Sequence, residues 1–205
     1  AFECKDKDGA HLGVLYLDYF PRASKRGGAW CGQYRRQTYK DGQKVAPVVT
    51  IVCNFTKPAA GQPALLTADE ASTMFHEFGH ALHNLFRDVH YYGISGVARD
   101  FVELPSQINE HWTFEPEMLK EYAKHYETGE VIPTELVDRL TECGKYGQGF
   151  ATTEYLAASL LDMDFHVLKD IPENFDVVAF EKETLGKRGL LKQIPPRYRT
   201  TYFNH

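Results

Sequence analysis

The stretch MFHEFGHALH, residues 74–83, sets two histidines four apart with a glutamate directly after the first. It lies inside a helical pattern. Thr67 followed three residues later by Glu70 has the form of a capping box, and Ala71, Met74, Phe75, Phe78, Leu82, Leu85 and Phe86 then recur at helical spacing. This predicts a helix over about 68–87. On a helix, positions four apart differ by about 40° in direction, so His76 and His80 leave one face a turn apart and converge on one ion. Glu77 sits about 100° around the axis, where it reaches a water beside a metal without being a ligand itself. By composition, HExxH arises by chance in roughly 3% of chains of this kind, and a capped amphipathic helix lowers that further. The metal reading therefore outweighs that of a helix merely rich in histidine.

Such a helix constrains the rest of the fold, because catalytic zinc takes three protein ligands and keeps a position open. The third ligand must come from another element packed against the helix. Glu103, at the start of the next predicted helix, is the natural candidate, and Asp100, Glu110 and Asp88 compete with it on sequence alone. His83 shares the face of His76 but lies two turns away, about 10 Å along the axis, too far for the same ion. It reads as structural.

The pattern before residue 60 differs from that of the later chain. HLGVLYLDYF (11–20) and VAPVVTIVCNF (45–55) are rich in β-branched and aromatic residues, with RASKRGGAW and YKDGQK as turn segments between them. A sheet of at least three strands, antiparallel or mixed, is expected. Helices are then expected at 68–87, from about Glu103 onward, and at 116–127, 134–143, 150–169 and 174–185. The class is α+β and mostly helical, a sheet followed by a helical bundle that carries the HExxH helix, in one domain over 1–205 with a sheet-rich part (1–60) and a helical part (61–205).

A net charge of −5 disfavours nucleic acid and anionic membranes as partners. No apolar run reaches a membrane-spanning length, and no leader pattern opens the chain. The cysteines Cys4, Cys31, Cys53 and Cys143 are widely spaced without a CxxC pair, so free thiols in a reducing compartment are expected.

HEFGHALH, DFVELPSQINEHW, GQGFATTEYLAASLLDMDFH and PPRYRTTYFNH together resemble the thimet oligopeptidase family of zinc peptidases, and YLDYFPRASKRGGAW is similar to its dipeptidyl carboxypeptidase branch. The similarity runs across nearly the whole chain. The resemblance implies a zincin-like, mostly helical enzyme that binds one Zn2+ per chain through His76, His80 and Glu103, with Glu77 as general base and acid. It implies that His205 is catalytic, that short peptides are the substrates, that dipeptides leave from free C-termini, and that the location is cytoplasmic. It further implies a longer protein, with a helical region before this chain and a glycine- and tyrosine-rich segment opening at His205. The chain is thus expected to be a catalytic-core portion that self-associates through uncovered surfaces and whose turnover is lowered, down to inactivity at the extreme, for want of the tyrosine donors. Other readings are a zinc oligo-endopeptidase or aminopeptidase, and a fragment that binds metal or peptide without turnover.

Arg197 and Arg199 are candidates for holding a terminal carboxylate, which arginine binds bidentately, with Tyr198 between them. Tyr92, in a loop with Gly93 and Gly96, offers an aromatic face to substrate.

Overall fold

The computed structural model describes residues 1–198 and residue 200. The chain divides into two compact units, 1–133 and 134–205, each described by itself. The change from strand to helix expected near residue 60 falls inside the first.

The first unit is built on a four-stranded mixed sheet in the order β1–β2–β6–β3, formed by β1 (Phe2–Lys5), β2 (His11–Asp18), β6 (Val48–Val52) and β3 (Trp30–Arg35). β2 and β6 run parallel, and the other pairs are antiparallel. β4 (Thr38–Lys40) and β5 (Gln43–Val45) form a separate hairpin. Asp41 and Gly42 turn it with φ of 51° and 76°, the paired positive values that a tight two-residue hairpin loop demands. Lys25 anchors the loop between β2 and β3. Its ammonium, almost fully enclosed, pairs with Asp18 Oδ1 at 3.2 Å and donates to the carbonyls of Asp18, Phe20 and Cys53.

Helix α1 (Ala68–Leu85) lies on this sheet. Thr67 Oγ1 accepts from Glu70 N at 3.1 Å and Glu70 Oε2 accepts from Thr67 N at 2.9 Å, which completes the capping box. Glu70 Oε1 also accepts from Thr56 N at 2.7 Å, so the residue that starts the helix ties it to the segment leaving β6. Leu15, Val49, Ile51, Cys53 and Phe55 of the sheet side close a core with Ala81 and Leu85 of the helix. At Gly13 an added Cβ would stand 2.8 Å from both Leu85 Cδ2 and Pro47 O, so glycine there sets the approach of helix to strand.

The helix ends two residues before its expected limit. Asp88 accepts from Tyr39 Oη at 2.8 Å and pairs with Lys44 Nζ at 3.0 Å, while Val89 N donates to the buried Gln37 Oε1 at 2.9 Å. These ties to the hairpin region draw the chain off the helical path. Phe78 and Phe86, counted in the apolar stripe, are 40% and 63% exposed. Ala71 and Leu85 of that stripe are buried as expected, and Glu77, Gly79 and Ala81 are buried beside them.

α2 (Leu104–Glu110) comes next, then a 3-10 turn (His111–Phe114) and α3 (Pro116–Tyr122). α3 stops short of the expected 127. Gly129, at φ 73°, folds the chain back so that Lys124 bridges Val131.

In the second unit, α4 (Thr134–Cys143), α5 (Gln148–His166) and α6 (Val177–Lys187) are the helices among the described residues. Gly147, at φ 69°, turns the chain into α5. α6 starts later than expected because Asp176 caps it, accepting from Val178 N and Ala179 N at 3.1 and 3.0 Å. Ala157, Leu161 and Leu185 form a small core with Phe165, Phe180 and Leu190 packed on it. No helix among the described residues is long and apolar enough to cross a membrane.

Candidate metal centre

His76, Glu77 and His80 lie within little more than one turn of α1, and α2 crosses that helix beside them. The crossing depends on Gly79. A Cβ there would lie 2.5 Å from Pro105 O and 2.7 Å from Ser106 Cα, distances no side chain tolerates. Asn109 holds the contact from the far side, its Nδ2 donating to Phe75 O at 2.6 Å. The sequence HEFGH therefore carries two instructions: histidines for one face, and a bare backbone where the next helix must touch.

The crossing delivers Glu103, the residue that caps α2. Its Oε2 lies 3.2 Å from His76 Nε2 and 3.1 Å from His80 Nε2. The three ligand atoms all fall within 4.8 Å of one another, the one such group among the described residues. Ser106 Oγ donates to Glu103 Oε2 at 2.7 Å and fixes the carboxylate. That hydrogen bond, followed by the nearby His80 and His76, holds the carboxyl of Glu103 below the usual carboxylate range, so it is an anion ready to ligate. Burial pushes the basicity of His80 down, favouring the neutral imidazole that a metal requires.

The competing carboxylates have other places. Asp88 is held by Tyr39 and Lys44, and Asp100 lies on an exposed turn outside the group. Glu110 stands behind His76, its Oε1 2.5 Å from His76 Nδ1. Spacing presented Glu110 as a rival ligand. The tertiary structure gives it the opposite nitrogen, where a carboxylate orients the ring. His83 meets Phe101 edge to face at 6.5 Å and takes no part in the ligand group.

Glu77 is 5% exposed, and its Oε2 has no hydrogen-bond partner. Burial, reinforced by the charge of Glu103 and opposed by His76, raises its pKa. An unpartnered buried carboxylate oxygen is costly unless something else satisfies it. Two imidazoles, an ionised carboxylate and this orphaned acceptor fit a zinc of the two-histidine, one-glutamate type, which leaves a position open.

All four residues line one cavity of about 440 Å³. Its other wall comes from β3 and the segments after β3 and α1, through Trp30, Cys31, Gln33, Arg36, Arg87 and Ser95. This wall was not anticipated from sequence. Its residues are scattered over 66 positions, from Trp30 to Ser95, and no local pattern joins them. Tyr92 opens a 3-10 turn next to it, 60% exposed, with the Arg36 guanidinium 5.5 Å from its ring centroid. Arg197 and Tyr198 belong to the second unit, where the guanidinium lies 5.4 Å from the tyrosine ring centroid. Arg199 and His205 lie outside the described residues.

The family model of peptidase family M3 matches residues 1–205. The chain belongs to peptidase family M3. The M3 chain is 44% identical to a dipeptidyl carboxypeptidase of Salmonella typhimurium, over all of this chain and 30% of that protein. To the dipeptidyl carboxypeptidase of Escherichia coli K12 it is 45% identical over the same shares. Oligopeptidase A of Escherichia coli K12 is 42% identical over 80% of this chain and 25% of its own length. The M3 chain thus spans about 30% of the length of the first two relatives.

Proposed function

We propose that this chain carries the catalytic centre of a zinc peptidase that hydrolyses short peptides and releases dipeptides from their C-termini. The observation that carries the reading is the convergence of His76, His80 and Glu103 within 4.8 Å, beside the unpartnered Glu77 oxygen and in one cavity. His76, His80 and Glu103 would hold one zinc. When bound, zinc polarises a carbonyl oxygen and acidifies the attacking water.

The protein's own groups account for the rest of the chemistry. Glu77 accepts the proton of the attacking water as the C–O bond forms, then delivers it to the amine nitrogen as the C–N bond breaks. Its raised pKa suits a group that must both take and return a proton. Glu110 keeps the His76 ring in place while the local charge changes.

Release of dipeptides is supported by the two relatives that match the entire chain, both named dipeptidyl carboxypeptidases. An oligopeptidase mode is the second reading, favoured by the match to oligopeptidase A over a smaller share. Free thiols at all four cysteines support a reducing compartment such as the cytoplasm. The roles given in the sequence analysis to His205, Arg197, Tyr198, Arg199 and Tyr92 remain part of this proposal.

The test is Glu77→Gln with N-terminally blocked peptides of five to eight residues and mass-spectrometric identification of the products. The wild type is expected to yield C-terminal dipeptides. The variant is expected to retain zinc and lose at least about 10²-fold in rate. Zinc and peptide binding without cleavage in either protein would make the chain a binder, and internal fragments would establish the oligopeptidase mode.

A further inference from the structure

The cavity that holds the metal centre has a cationic end that the reaction described above does not use. Arg36 and Arg87 both line it, and among the described residues neither forms an ion pair. Of the carboxylates in the same cavity, Glu103 lies against the two histidines and Glu77 is buried beside them, and among the described residues neither pairs with an arginine. Arg87 is half-buried, and Asn84 Oδ1 accepts from its Nη2 at 3.1 Å, which orients the guanidinium. Burial first, then the neighbouring charge of Arg36, disfavours the cationic form of Arg87. Two guanidiniums close enough to repel each other, one of them half-buried, leave an electrostatic demand for an anion.

Two orphaned polar atoms stand in the same cavity. Ser95 is 3% exposed and its Oγ has no partner. Gln33 Oε1 is likewise buried and unpaired. Buried groups of this kind are normally satisfied, so both mark where a polar ligand would complete the structure. A hydroxyl donor among guanidiniums suits a carboxylate oxygen. The amide oxygen of Gln33 suits a peptide N–H.

Arg87 follows directly on the C-cap of α1 and lines the same cavity as His76, His80 and Glu103, so a peptide held at the metal centre shares its cavity with the guanidinium. We infer that Arg36, Arg87 and Ser95 form a carboxylate subsite that seats the free C-terminal carboxylate of a peptide, with Gln33 accepting from the adjacent peptide N–H. This rests on the peptidase reading and deepens it. The subsite supplies, within the cavity of the metal centre, a cation of the kind that an enzyme acting at a C-terminus needs.

The experiment measures binding in the Glu77→Gln background, so that peptide is not consumed. Three versions of one N-blocked peptide serve as probes: the free acid, its C-terminal amide, and the amide with aspartate at the last position. The free acid is expected to bind about 10- to 100-fold more tightly than the plain amide, as loss of charge-assisted bidentate contacts requires. Arg36→Gln and Arg87→Gln are each expected to reduce that preference and together to remove it, while Arg87→Lys keeps part of it. Equal binding of acid and amide, a preference that persists in the double variant, or no binding of any probe would overturn the subsite. Recovery of full affinity by the aspartyl amide would replace the C-terminus with an acidic side chain as ligand and would overturn the assignment in that form. The acid-to-amide comparison needs no arginine variant, so a misfolded substitution leaves it decisive.

Hydrolysis of the same peptides by the Glu77 protein is read separately. Cleavage without acid preference removes the subsite and leaves the peptidase. Acid preference without cleavage of any probe does the reverse.

Discussion

The Oε1 of Glu110 lies 2.5 Å from the Nδ1 of His76, on the side of the ring away from Glu103. A carboxylate in this position fixes the tautomer that leaves Nε2 free for a metal. Glu110→Gln keeps the shape and removes the charge. It is expected to weaken zinc binding by about 10- to 100-fold with little change in the melting profile of the metal-free protein. Competition against a chelator of known affinity checks this, and an unchanged zinc affinity would reduce Glu110 to a surface contact.

Gly79 contributes no ligand, yet the site depends on it. A methyl group there would stand 2.5 Å from Pro105 O, on backbone that cannot rotate away. Gly79→Ala is expected to destabilise the fold by about 1–3 kcal/mol in urea denaturation and to lower zinc occupancy, since α2 carries Glu103. Loss of stability with full zinc retention would show that α2 relocates without losing its ligand.

The four free cysteines differ in environment. Cys143 is exposed and Cys53 buried. Burial pushes the Cys31 thiol up to about 12 and, with help from the charge of Glu77, the Cys53 thiol up to about 11. An alkylating reagent at neutral pH is expected to modify Cys143 first and to reach Cys31 and Cys53 only after denaturant is added. Peptide mapping of the labelled protein decides it. The raised values also set a pH dependence. Below the ordinary thiol value of 9 both states keep the proton, and above it the unfolded chain releases protons that the folded one retains, so stability is expected to fall from about pH 9 up to 11–12. Denaturation midpoints that stay flat across that range would contradict the burial of these thiols.

α5 exposes Phe150, Tyr155, Leu156 and Met163, and Tyr146 just before it is 93% exposed. Apolar side chains of this size in one region favour association. The isolated chain is expected to elute at a mass that rises with concentration in size-exclusion chromatography. A monomer at every concentration would argue against it.

The helix over Ala68–Leu85, its capping box and the α4 boundaries arise from nearest-neighbour rules that act within a few residues, so they were legible in the order of residues. The same rules overran at Tyr122, where Gly129 folds the next few residues back so that Lys124 bridges Val131, and at Leu85, where Asp88 is drawn to Tyr39 and Lys44. The first is a local turn that the helical pattern hid, and the second a tertiary tie that overrides local preference.

His76, Glu77 and His80 were readable because one helical period places them. Among Asp88, Asp100, Glu103 and Glu110 the residues alone favoured Glu103, at the start of the next helix, and left the other three in competition with it. Packing of α2 at Gly79 sets Glu103 against both histidines and Glu110 behind one of them. The cavity wall of Gln33, Arg36, Arg87 and Ser95 had no signature, since its parts come from a strand and from separate segments after β3 and α1. Most elements and the chemistry offered on one helix face follow from residue order, because they depend on dihedral preference and a 3.6-residue repeat. Which carboxylate meets the histidines and which cations share their cavity follow from packing, because long-range contacts bring residues far apart in the chain to within a few ångströms.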